Sequence, residues 1–148
     1  MIKENTIALD AQIVALQAEL ENRIALLEAK VRGEIAANCT VRGPGVDLHG
    51  CDLSNARLNF NWLSDANLSF ADLSFADLSN ADLSFADLSN ANLAGANLAG
   101  ANLHGASLRG ANMEETHLNS ADLTGVDFTF CVGTPIGVPN AGSLPTCS

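Results

Sequence analysis

Residues 71–103 read ADLSFADLSNADLSFADLSNANLAGANLAGANL. A leucine recurs at every fifth position, alanine stands two before it, and Asp or Asn stands one before it. An α-helix repeats every 3.6 residues and a flat strand every two, so neither presents one side of the chain at intervals of five. A chain that buries two residues in each five must turn a corner in every block. The register holds from Leu48 to Phe128 without a break. It gives seventeen centres, fifteen of them Leu, with Met113 and Phe128 the exceptions. The residue two before the centre is Ala in twelve blocks and elsewhere Val46, Cys51, Asn61, Thr116 or Val126.

The spacing assigns roles. The central Leu points inward and fills a core, while Ala occupies the narrow place where walls converge. Asp or Asn before the centre bonds local backbone at the corner, as these residues do in turns. Four corners close a square, so one coil takes about twenty residues and coils stack at about 4.8 Å. The expected fold is therefore mainly β: a quadrilateral solenoid of about four coils over residues 46–131, roughly 20 Å tall. The run resembles the pentapeptide-repeat family, whose motif is A(D/N)LXX, and the resemblance implies a right-handed quadrilateral β-helix. Its best-understood members are acidic dimers that mimic DNA and bind type II topoisomerases, protecting them from quinolones. This chain departs from those members in three ways: a much shorter repeat, no loop interrupting the register, and an oligomerising helix before the repeat rather than after it.

Ahead of the solenoid, residues 1–38 predict a long helix. Apolar residues fall at Ile2, Leu9, Ile13, Leu16, Leu20, Ile24, Leu27, Val31 and Ile35. Ile2, Ile13, Ile24 and Ile35 are spaced by eleven, as are Leu9, Leu20 and Val31. An eleven-residue period keeps one stripe on one side with a slight right-handed drift. A strict heptad begun at Ile13 and Leu16 would place Arg23 and Lys30 in a core. The stripe fits a coiled coil between copies of the chain, parallel and with three chains favoured over two or four. A helix folded back as a cap on the solenoid is the other reading, but about 36 residues reach roughly 54 Å, more than an end needs. Residues 39–45, CTVRGPG, form a turn-rich junction. Residues 132–148 are rich in Gly, Pro and Ser and read as a tail folded over the last coil.

Four cysteines frame the repeat. Cys51 and Cys131 both sit at the small inward position, eighty residues apart on one wall. That places them about 19 Å from each other, too far for a disulfide. Cys39 in the junction and Cys147 in the tail are the nearer candidates, so Cys39–Cys51 and Cys131–Cys147 would staple a cover onto each end. Four unpaired small hydrophobes are the alternative. Pairing would favour an extracytoplasmic setting, although MIKENTIALD does not read as a signal peptide. No apolar run approaches the roughly 20 residues that span a bilayer.

The net charge is −10, and most of it lies on the repeat. Residues 44–130 carry eleven acids against Arg57 and Arg109. Such a surface repels phosphate, which argues against direct nucleic-acid binding. Asp72, Asp77, Asp82 and Asp87 form a belt, one per corner of a coil. The repeat carries about one net charge per ~2.2 Å of rise against one per ~1.7 Å in duplex DNA, which keeps mimicry of DNA as the alternative function. The plainer reading takes Asp and Asn as interchangeable turn formers. Phe60, Trp62, Phe70, Phe75 and Phe85 should face outward on several walls, as a candidate contact patch that no single partner covers or as rings stacked between neighbouring coils.

Chemistry is harder to find. His49, His104 and His117 fall on different walls or coils and assemble no metal set with Cys. No Ser–His–Asp arrangement converges, because the many Ser and Asp residues are repeat positions, and there is no Gly-rich phosphate loop. The expectation is a non-enzymatic structural or interaction module without cofactors, its partners being copies of itself and another protein.

Overall fold

The computed structural model describes residues 2–31, 39–40, 42–138 and 147, with side chains inside the helix described at 6 and 8–25. The chain divides into two compact units, Met1–Ala36 and Ala37–Ser148. In the first, a helix α1 spans Ile2–Val31. The segment contains neither Gly nor Pro and is rich in Ala, Leu, Glu and Gln, all good helix formers. Its thirty residues reach roughly 45 Å. Leu9, Ile13, Leu16, Leu20 and Ile24 of the expected stripe are 45–64% exposed, as is Val14 beside them. The side chains of Ile2, Leu27 and Val31, and all of residues 32–38, lie outside the described residues.

In the second unit the block of five is visible as a complete account of backbone amides. Asp72 N–H donates to Cys51 O one coil back, and Leu73 and Phe75 N–H donate to Asn92 O and Ala94 O one coil on. Ala76 N–H donates to Leu73 O and closes a turn. Ser74 N–H, the fifth, is satisfied by Asp72 Oδ1 at 3.0 Å. Every buried amide must find such a partner, so the polar residue before the centre is part of the backbone's own bonding. The turn repeats at all seventeen centres, each carbonyl accepting from the amide three residues on. The residue two after most centres has positive φ, 57° at Phe75, as a type II turn demands.

These turns bring single residues into parallel pairs with an offset of twenty, such as Asp52 with Asp72 and Trp62 with Asp82. The pairs fall into four columns, running through Asp47–Asn67–Asp87, Asp52–Asp72–Asn92, Arg57–Asp77–Asn97 and Trp62–Asp82–Asn102. They are the four walls of the coil. The centres from Leu58 through Leu118 are fully buried, and the alanines from Ala66 to Ala111 share that core. Thr116, the one polar residue at an inward small position that is completely buried, donates its hydroxyl to Leu93 O at 2.8 Å.

The ladder does not stop where the leucine period does. Val132 and Ile136 pair with Asn112 and His117, so the first part of the tail continues two walls. The bonding there is backbone to backbone: Met113 N–H to Val132 O at 2.7 Å and Leu118 N–H to Ile136 O at 2.8 Å. Only four steps separate Val132 from Ile136, so the last offset is nineteen. Gly133, at φ 100°, lies so close to the preceding coil that an added Cβ would sit 2.5 Å from Glu114 N. A disulfide joins Cys39 to Cys51, with Cα atoms 5.6 Å apart, and another joins Cys131 to Cys147, at 4.7 Å. Cys51 and Cys131 are buried, and their partners pack against the core from either end.

Candidate functional site

The belt of Asp72, Asp77, Asp82 and Asp87 is divided among the four walls, one carboxylate on each. Each Oδ1 caps the amide two residues on, at 2.9–3.1 Å. The Ser74 N–H, followed by its hydroxyl, holds the Asp72 carboxyl below the ordinary range. The Ser79 hydroxyl and then its amide do the same for Asp77, where Arg57 adds a smaller pull. The Thr124 and Thr129 hydroxyls lead the same lowering at Asp122 and Asp127.

Asparagine caps the same amides but does something aspartate cannot. Asn67 Nδ2 donates to Asp47 Oδ1 in the preceding coil at 3.1 Å. Asn92, Asn97 and Asn102 donate likewise to Asp72, Asp77 and Asp82, at 3.1–3.2 Å. Asn112 continues the stack onto Asn92 at 3.0 Å. The two residue types are therefore not interchangeable, as the plainer reading had them: a carboxylate in one coil is met by an amide donor in the next. Across the four columns only Asp52 and Asp72 place two acids in direct succession. This cross-coil bonding is the main feature that a search for local motifs overlooks. Its signal is present, but only when residues twenty apart are read together.

The aromatic residues do not form one patch. The twenty-residue offset puts Phe60, Phe70, Phe75 and Phe85 on four different corners. Three of these rings have a neighbour in an adjacent coil. Phe70 meets His49 edge-on at 5.5 Å, and Phe85 meets His104 at 5.3 Å. Phe75 and Phe85 also lie over Gly95 and Gly105, filling the space that a Cβ would take at 2.6 Å. Phe130, which shares the Phe70 corner, lies under the Arg109 guanidinium at 5.2 Å. Phe60 and Trp62 have no ring contact among the described residues, and are 67% and 73% exposed.

Of the histidines, His49 Nδ1 lies 2.9 Å from Ser69 Oγ, and His104 stands over Phe85. No group of three His, Cys, Asp or Glu suited to a metal ion occurs among the described residues. No helix among them is long and apolar enough to cross a membrane.

Parallel coils of four walls, turned every five residues and filled by stacked leucines, define a β-solenoid. A family model described as pentapeptide repeats matches residues 63–100 and 96–131, with eight copies. The chain belongs to that family. Among solved structures it is similar to the pentapeptide repeat protein Rfr23 from the cyanobacterium Cyanothece 51142, with 42% identity and a TM-score of 0.58. That match covers 58% of each chain, so this chain spans little more than half the length of that protein. A pentapeptide repeat protein from Nostoc PCC 7120 is 33% identical over 60% of this chain and 74% of its own, with a TM-score of 0.44. A pentapeptide repeat protein of the Arabidopsis thaliana thylakoid lumen is 32% identical over 68% and 71%, with a TM-score of 0.40. A search among curated proteins finds no match. The fold of this family is a right-handed β-solenoid.

Proposed function

We propose that this chain is a non-enzymatic protein-interaction module, in which an acidic solenoid of about four coils is displayed by a coiled coil of the N-terminal helix. The observation that carries the reading is the exposed apolar stripe of α1, Leu9, Ile13, Leu16, Leu20 and Ile24. A helix roughly 45 Å long with such a stripe buries it against something, and the eleven-residue period suits copies of itself. The repeat supplies rigidity, because most Asp and Asn residues before the centres use Oδ1 to cap turns, and several bond the neighbouring coil. The two disulfides, one near each end of the repeat, support an extracytoplasmic setting. The acids are spread over four walls and their Oδ1 atoms are engaged in turns, which supports the structural role of Asp over mimicry of a phosphate backbone. A type II topoisomerase supercoiling assay tests this directly. The full chain is expected to leave it unchanged, and inhibition or protection from quinolones would replace the reading with a DNA mimic.

A further inference from the structure

The five-residue block loses both its Ala and its Asp or Asn at two places, Asn61-Trp62 and Thr116-His117, and only the first carries a large exposed apolar side chain. Beside the first of these, Phe60 holds a positive φ of 58°, and Phe70, Phe75, Phe85 and Phe130 hold positive φ at the same place in their own blocks. Trp62 stands where thirteen of seventeen blocks carry Asp or Asn, and an indole has no acceptor for the Ser64 N–H. Asn61 stands where twelve blocks carry Ala, and turns its amide to Asn59 O at 3.2 Å. The two departures in successive residues, Asn61 and Trp62, bring no ring contact among the described residues, and Trp62 at 73% is the most exposed large side chain on the first coils. Where a sequence violates its own consistent pattern, function is the common reason.

The surroundings define what the surface fits. Trp62 is paired with Asp82 in the next coil of its wall. Phe60 stands at the corner where that wall begins and Phe85 at the corner where it ends, one coil on. Phe85 is steadied there by His104 and by the bare backbone of Gly105. Residues 60–65, 80–85, 100–105 and 120–125 make up the wall and include Asp65, Asp82 and Asp122 but no Lys or Arg. We propose that Phe60 and Trp62, with Phe85 and the carboxylates of Asp65 and Asp82, form a docking wall for an arginine- or lysine-rich segment of a partner protein. A guanidinium laid on the indole face gains from the ring and from the flanking carboxylates. The side-chain methylenes of the partner cover Phe60. The other rings stand away from this wall: Phe70 and Phe130 share another corner, beside His49 and Arg109, and Phe75 lies on a third, over Gly95.

This docking wall rests on the interaction-module reading. Trp62 is the only tryptophan in the chain, so its emission reports this wall alone. The full chain is titrated with a short labelled peptide of alternating arginine and leucine, and with its glutamate counterpart, at physiological salt. The expected result is a saturable change in emission with the basic peptide only. By anisotropy of the label, Phe60→Ser with Trp62→Ser weakens binding about tenfold, Asp82→Asn weakens it several-fold, and Phe70→Ser leaves it unchanged. Phe60, Trp62 and Phe70 are solvent-facing and Asp82 is half-buried, and thermal melts of each variant verify that the solenoid stays folded. No saturable binding, or equal weakening by Phe70→Ser, overturns the proposal, the latter by showing general attraction to an acidic body. Either failure, with the chain still oligomeric, leaves the interaction-module reading standing, whereas an altered supercoiling assay overturns that reading.

Discussion

Leu88 lies in the middle of the repeat and is fully buried, with Leu68 and Leu108 of the adjacent coils equally buried on the same wall. Replacing it with Ala removes apolar contact and leaves a cavity, a change that costs about 2–5 kcal/mol in well-packed cores. Where a site falls in that range depends on whether its surroundings collapse. Here they are held apart by backbone bonds on both sides of the coil. Asp87 N–H reaches Ala66 O at 2.9 Å, while Leu88 N–H reaches Ser107 O and Asn90 N–H reaches Arg109 O, both at 2.8 Å. The expected loss is therefore in the upper part of the range, about 4 kcal/mol, or on the order of 15 °C in melting temperature. Leu123→Ala is the internal control: Leu123 is half-buried, and its truncation is expected to cost about half as much. Denaturant unfolding followed by circular dichroism measures both. Equal effects, or a loss under about 1 kcal/mol at Leu88, would refute the claim that stacked leucine centres hold the solenoid together.

Ala91→Leu should overpack the narrow inward position and cost about 1–3 kcal/mol in the same assay. Opening the disulfide between Cys131 and Cys147, sixteen residues apart, should remove about 3 kcal/mol in the chain-entropy model; melts with and without reductant measure the loss, and non-reducing peptide mapping checks the pairing. Because the folded carboxyls of Asp72 and Asp77 titrate below their unfolded values, their contribution is complete above the ordinary carboxylate range and is lost as pH falls through the folded values. Asp72→Asn keeps the cap on Ser74 but cannot titrate, so it should flatten the acid limb of stability against pH. Gly133→Ala should destabilise the end of the ladder, since its Cβ would meet backbone atoms of Glu114 at 2.5 and 2.8 Å; faster hydrogen exchange at Met113 and Leu118 would register it.

The inward pattern was legible because it depends on one strict period. Leu and Ala at fixed places in each block are all that the core requires, and the same period placed the two cysteine pairs by setting the height of four coils. The bonding between coils was less legible, because it relates residues twenty apart rather than five. Asn92 reads as a variant of Asp72 until the two are stacked, when the amide becomes the donor to the carboxylate below. The continuation through Val132 and Ile136 escaped for a different reason. Backbone pairing needs no leucine, and Gly133 and Pro135 read as loop residues although Val132 and Ile136 on either side of them pair with the preceding coil. The spread of the aromatic residues over several walls was legible from the same period. Exposure of Phe60, Trp62, Phe70, Phe75 and Phe85 follows from their places in the block, but the corner each occupies follows from the coil.

The display of the solenoid by an oligomeric helix is tested most directly by light scattering on the full chain, alone and with Ile13→Asp and Leu20→Asp together. Both residues lie on the exposed stripe of α1, and the solenoid is a separate compact unit. The expected result is a mass near three chains for the unaltered protein and one chain for the double variant, with the solenoid's melting temperature unchanged. A single-chain mass for the unaltered protein at tens of micromolar would contradict the account.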